Sequence, residues 1–263
     1  FVYVTGSFNG WKCGLDSFMH LSPDSSRWWL TLTGLDPDSL YQFQYLVDGV
    51  LRVADPYTEL VLDPLNDSDI PGTIYPDLPV YPHVKTSGLI STFSTADAPF
   101  AWSDESFTPP HPSDLVIYEL LLRDFLHDHD YETLTDTLKY LQGLGVNAIE
   151  LMPVNEFEGN SSWGYNPSFY FAPDKYYGSS ENLKKFVDEA HKRGIAVILD
   201  MVLNHAYGQC SLVQLYWDAQ NNRPSPENPW FNQQSPNPVY SWGYDFNHQS
   251  THTQRFVDRV LSH

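Results

Sequence analysis

The run Ile195-Ala196-Val197-Ile198-Leu199-Asp200-Met201-Val202-Leu203-Asn204-His205 is apolar but for one carboxylate, and it ends in an amide and an imidazole. A buried strand has no cheap place for a charge, because an unpaired buried carboxylate costs several kcal/mol or shifts its pKa. An Asp late in such a strand, with Asn204 and His205 at its exit, is the expected floor of a site. Aromatic residues make up 15% of the chain, with 8 Trp and 17 Tyr. Such residues either fill a core or stack on sugar rings.

The elements that would position these groups begin at Leu115, where the texture becomes strand–helix alternation. Leu115–Leu122 is a largely apolar strand. Leu134, Leu138 and Leu141 form a helical stripe at i, i+4, i+7. Val146–Val154 is a second strand, stopped near its end by Pro153. Leu183, Phe186, Val187 and Ala190 make another helical stripe, with Ser180 as N-cap and Gly194 as stop. Ile195–Leu203 is the third strand. Phe256, Val257, Val260 and Leu261 begin a third helix after Ser250 or Thr251. Such βαβαβα order implies parallel strands with helical crossovers. Two long connections, Asn155–Ser180 and Asn204–Ser250, each follow the carboxyl end of a strand, the face on which a parallel barrel builds its sites. They carry Trp163, Tyr165, Tyr170, Trp217, Trp230, Phe231 and Trp242.

The first 97 residues differ. Short strands at Phe1–Val4, Trp28–Leu32, Tyr41–Val47, Val50–Ala54 and Ile90–Phe93 are separated by turn signals such as Asn9-Gly10 and Asp48-Gly49. No segment has helical period, and a β-sandwich is the simplest reading. Residues 98–113, rich in Pro and Ser, read as a linker to the domain at 114–263. The chain opens inside a strand-like run, which reads as a cut segment.

The net charge of -19 argues against a nucleic-acid partner. No apolar run is long enough to span a membrane as a helix. Cys13 and Cys210 fit either one disulfide or two free thiols.

These motifs, taken together, resemble the α-amylase superfamily, glycoside hydrolase family 13. Asp200-Met201-Val202-Leu203-Asn204-His205 resembles its first signature region. Gly145-Val146-Asn147-Ala148-Ile149-Glu150-Leu151-Met152-Pro153 is similar to its second-strand region. Trp163-Gly164-Tyr165-Asn166-Pro167 resembles the loop that carries a sugar-stacking Tyr. Tyr244-Asp245-Phe246-Asn247 is similar to a short motif near the end of the inserted B domain, here about 204–250. Ser7-Phe8-Asn9-Gly10-Trp11, Tyr45-Leu46-Val47-Asp48-Gly49 and Val53-Ala54-Asp55-Pro56-Tyr57 resemble N-terminal modules related to carbohydrate-binding module family 48.

The resemblance implies an immunoglobulin-like β-sandwich followed by the first three βα units of a TIM (β/α)8 barrel. It implies an α-glucan partner, with Tyr165 stacking on the sugar at the cleavage subsite. Asp200 would lie beneath it, His205 would bond its 6-hydroxyl, and Trp163 would stack or form a wall. Asn204 and Asp245 match positions that ligate calcium in some members. Trp11, Trp28 and Trp29 would bind glucan or pack the module. An α-amylase acting on α-1,4 bonds, or a pullulanase-like α-1,6 debranching enzyme, fits better than a branching enzyme. A binding-only protein is the alternative if residue 263 is the true end. Retaining hydrolysis needs two carboxylates about 5 Å apart. In the family they come from later strands, so this segment by itself is expected to be inactive and the rest of the barrel to lie in the full-length protein. A polymeric extracellular substrate tilts the location toward secretion or the periplasm.

Overall fold

The computed structural model describes residues 1–96, 98–103 and 106–263. The expected domain boundary at Asp97, and Asp104 and Glu105 of the expected linker, lie outside the described residues.

The N-terminal part is built by antiparallel pairing around Tyr41–Val47. Val2–Gly6 pairs along one edge of that strand. Leu51–Val53 and Ile90–Phe93 share its other edge, and Val61–Leu62 pairs with Ile90–Phe93. Asp48 (φ 51°) and Gly49 (φ 74°) both take the left-handed conformation that a tight hairpin requires between Tyr41–Val47 and Leu51–Val53. Only His20–Leu21 with Trp28–Trp29 forms a second ladder here. The pairing is thus one five-stranded sheet plus a short hairpin. The strand expected over Trp28–Leu32 stops at Trp29. Trp11 packs against a core of Leu62, Tyr81 and Ile90, while Trp28 and Trp29 are exposed.

In the second part, Ile117–Leu120, Ala148–Leu151 and Ala196–Leu199 form a parallel sheet with Ala148–Leu151 in the middle. One face carries Leu120, Ile149 and Leu151 into a core with Leu134, Leu138, Leu141 and Phe186. The stripe residues Leu134, Leu138 and Leu141 are fully buried, but their helix divides into Tyr131–Asp136 and Leu138–Gly143. At the division the Thr135 and Thr137 hydroxyls donate to the carbonyls of Tyr131 and Leu134, each at 2.7 Å. Back-bonding of this kind competes with the helical ladder.

Ser180–His191 is capped by Ser179, one residue before the expected cap, whose Oγ accepts from Asn182 N at 3.2 Å. Ser250 caps Thr251–Leu261 in the same way, accepting from His252 N at 3.2 Å. Phe256 and Val260 are buried there, whereas Leu261 is exposed. The strap after the first sheet lies along Ser180–His191: Ser103 N and Oγ donate to Asp188 at 2.9 and 2.7 Å, and Phe107 stacks on His191.

The third strand is shorter than expected and ends at Leu199, so Asp200 lies just past it. Its partner strand ends at Leu151, and Asp200 N makes the last contact, 2.9 Å from Leu151 O. Both long connections are folded. Asn155–Phe157 pairs with Pro167–Pro173. Residues 204–250 form short ladders around a core of Tyr170, Leu212, Phe231, Phe246 and Phe256. Cys13 is exposed, Cys210 is buried, and both are free thiols. Burial pushes the Cys210 thiol up to about 12. Among the described residues, no helix is long and apolar enough to cross a membrane.

Candidate active site

Three of the residues expected at the site meet at the carboxyl end of the parallel sheet. Tyr165 Oη donates to Asp200 Oδ2 at 2.6 Å. His205 Nε2 lies 2.8 Å from the Tyr165 carbonyl oxygen, and Tyr170 Oη donates to the His205 carbonyl at 2.6 Å. These bonds tie together the connection after the second strand, which carries Tyr165 and Tyr170, the end of the third strand at Asp200, and the start of the inserted segment at His205.

The His205 ring is buried, and its Nδ1 has no hydrogen-bond partner. With Nε2 facing a carbonyl, the neutral ring carries its proton there and Nδ1 is left as an acceptor; the partners assign this tautomer. An unpaired buried acceptor is costly unless a ligand or water meets it. Tyr165 keeps 39% of its surface exposed, enough to offer a ring face. Burial, then the bond to Asp200 and the charges of Asp200, Glu119 and Glu150, push its phenol up to about 12. It therefore remains a donor at neutral pH.

Two glycines make this geometry possible. Gly164 (φ 89°) holds Tyr165 in place, and a Cβ there would lie 2.0 Å from the Pro153 carbonyl oxygen. Gly243 (φ 61°) backs the imidazole, and a Cβ there would lie 2.8 Å from His205 Cδ2 and 2.7 Å from Ala206 O. In the Gly164→Ala variant the loop must shift and Tyr165 leaves Asp200, so amide hydrogen exchange over 163–167 is expected to speed up about tenfold. Unchanged exchange would show that the loop tolerates the added methyl group.

Trp163 is in the same loop and is exposed (58%). Glu119 and Glu150 went unrecognised in the sequence. They are register partners in adjacent strands, on the sheet face opposite the Leu120–Leu151 core, and they add negative charge near Tyr165. The signal was present as alternation, since Glu119 stands between Tyr118 and Leu120, and Glu150 between Ile149 and Leu151.

Asp245 is the register partner of His205, and Asn204 flanks that ladder with its carbonyl accepting from Phe246 N at 2.9 Å. The Asp245 carboxylate is engaged by Asn232 Nδ2 at 2.7 Å and Ser235 Oγ at 3.1 Å. Calcium takes six to eight oxygen ligands, and among the described residues no group of three or more His, Cys, Asp or Glu gathers to hold a metal. With both Asp245 oxygens already accepting from side chains, Asn204 and Asp245 supply a partial set of oxygen donors.

The site offers the half-exposed Tyr165 ring for stacking, with the charges of Asp200, Glu119 and Glu150 beside it and the buried His205 ring behind it. It suits a neutral polyhydroxylated ligand.

Comparison with known proteins agrees. The alpha amylase catalytic-domain family matches residues 98–257. The chain is 33% identical over 213 residues to a malto-oligosyltrehalose trehalohydrolase of Saccharolobus solfataricus, covering 81% of this chain and 34% of that protein. It is 30% identical over 219 residues to a 1,4-alpha-glucan branching enzyme GlgB of Hydrogenovibrio crunogenus, covering 78% of this chain and 27% of that protein. The chain thus spans about a third of the length of the curated relatives it matches. Among solved structures, a Salmonella typhimurium protein assigned as an alpha amylase superposes with a TM-score of 0.68 at 22% identity, covering 98% of this chain and 37% of that one, which shows the fold.

Proposed function

The chain belongs to the α-amylase family, and from that premise we propose that it forms the sugar-holding part of an enzyme acting on α-glucans. The observation that carries this reading is the Tyr165–Asp200–His205 group at the carboxyl end of the parallel strands. Tyr165 stacks on the sugar at the point of cleavage. His205 presents Nδ1 to one of its hydroxyls, and Asp200 fixes the Tyr165 phenol. One Asp200 oxygen is engaged by Tyr165, and this reading gives Asp200 a holding role rather than that of the attacking group. The pair of carboxylates that retention requires is supplied by the remainder of the protein, so residues 1–263 hold the sugar and do not break the bond.

Within the family, hydrolysis of a malto-oligosaccharide is the preferred reading, with a trehalose-terminated chain as the substrate to test first. The relatives named trehalohydrolases support it. Transfer to form branches is the second reading, supported by matches of similar extent to branching enzymes. An α-amylase acting on α-1,4 bonds and a pullulanase-like enzyme are further readings within the family, and a binding-only role has no such support.

The test is product analysis with the full-length protein on malto-oligosyltrehalose, amylose and pullulan. Release of trehalose supports the first reading, and new α-1,6 branches in amylose support the second. Lack of turnover on every α-glucan would overturn the proposal.

A further inference from the structure

One turn of the N-terminal part reaches toward the loops of the candidate site, beside a buried bond from Ser211 Oγ to the Ala54 carbonyl at 2.7 Å. After Val61–Leu62 the chain folds over Asp63, Asn66 and Asp67, with Asp67 Oδ2 accepting from Asp63 N at 2.8 Å. Three contacts leave this turn toward the loops of the second part. The Asn66 carbonyl accepts from Asn160 Nδ2 at 2.7 Å. Asp63 Oδ2 accepts from Gln209 Nε2 at 3.2 Å. Asp67 Oδ1 lies 3.3 Å from Lys175 Nζ.

Asn160 is in the loop that carries Trp163 and Tyr165, and Gln209 is in the segment that follows His205. The same two loops are joined directly, since Glu158 Oε1 accepts from Gln209 N at 2.7 Å. A cavity of about 190 Å³ lies at this seam, lined by Ala54, Asp63, Leu65, Gln209, Ser211 and Gln214. The seam here is therefore held by a few polar bonds rather than by packing. Docking of the two parts as a whole has other support. Ala54 and Val61 pack with Phe169 and Ala172, Tyr57 packs on Phe171 and Phe256, and Arg259 covers the Tyr57 ring at 4.7 Å.

We infer that the Asp63–Asp67 turn of the N-terminal module is a clamp that positions the Tyr165 and His205 loops, with Asn160 and Gln209 as its positioning residues. The inference rests on the proposed glucan site for its kinetic consequence but not for its structural one. Freed from the clamp, the two loops keep their fold and the bonds that join them, and lose their anchor to the N-terminal module. A small misplacement of groups around a reacting sugar is felt in turnover more than in binding.

The test is the Asn160→Ala/Gln209→Ala double variant of the full-length protein, which leaves the Lys175 charge cluster and the apolar docking contacts in place. Without substrate, amide hydrogen exchange over 160–166 and 205–211 should speed up about tenfold, while exchange over 169–172 stays as it was. On malto-oligosaccharides, kcat should fall about tenfold with KM changed less than about twofold. Unchanged exchange in both loops would overturn the clamp. Faster exchange with unchanged kcat would overturn its positioning role. A wild-type protein inactive on every α-glucan would defeat the functional reading, while the exchange measurement would still decide the clamp.

Discussion

Replacing Lys175 with Met should lower the stability of the full-length protein by about 3–5 kcal/mol at neutral pH, the range for breaking a buried ion pair from one side. Lys175 is 2% exposed. Its ammonium is bonded to Glu156 and lies near Asp67, and Asp174 is the adjacent residue. Burial opposes the Lys175 charge, but Glu156, Asp67 and Asp174 outweigh it and raise its pKa. Burial raises the carboxyls of Glu156 and Asp67, with Lys175 pulling each back down. Asp174 is pushed well above the carboxylate range by burial and then by Glu156, although the Phe157 and Tyr176 amides donate to it. One cation thus faces three carboxyls, and Asp174 is the one pushed furthest up by burial.

The pH dependence of the variant follows from these directions. A carboxyl whose folded pKa lies above its unfolded value contributes stability below the unfolded pKa. That contribution is lost as pH rises through the folded one. Without Lys175 the folded values of Glu156 and Asp67 rise further. The penalty should therefore be small near about pH 4 and largest near about pH 8, read by urea unfolding at both. A penalty equal at both pH values would show that Lys175 acts through packing alone. The Lys175→Met/Glu156→Gln/Asp67→Asn variant should recover most of the loss, because it leaves no unpaired buried charge.

None of this cluster was legible in the sequence. Glu156 and Lys175 are 19 residues apart, and Asp67 belongs to the other half of the chain. Where one local rule governs, the sequence was easier to read. Tyr41–Val47 and Ile90–Phe93 have the bounds their alternation and flanking turns suggest. The helical stripe at Leu134, Leu138 and Leu141 reached the core as expected.

The apolar run after Asp200 misled for a physical reason. Met201, Val202 and Leu203 are not strand; Met201 and Leu203 pack against the core of the inserted segment, so their apolarity reflects that cover. The meeting of Tyr165, Asp200 and His205 was legible because each sits in a motif. Gly243 and the Asp63–Asp67 turn were not, since their roles depend on what lies across the space from them.

His205→Ala in the full-length protein should lower kcat/KM on α-glucans about 100-fold, because two functions leave with one ring. Nε2 fixes the Tyr165 carbonyl, and with it the loop that carries the stacking ring. Nδ1 is a buried acceptor without a partner, and in the proposed site it is the atom that meets a sugar hydroxyl. Two amide variants separate these functions. In His205→Gln the terminal amide reaches toward the Nε2 position and can still donate to Tyr165 O. In His205→Asn the shorter amide sits near the Nδ1 position and can still accept. If the sugar contact dominates, His205→Asn should retain more kcat/KM than His205→Gln. The opposite order would assign the imidazole to holding Tyr165 and remove it from the sugar. Full activity in His205→Ala would remove it from both.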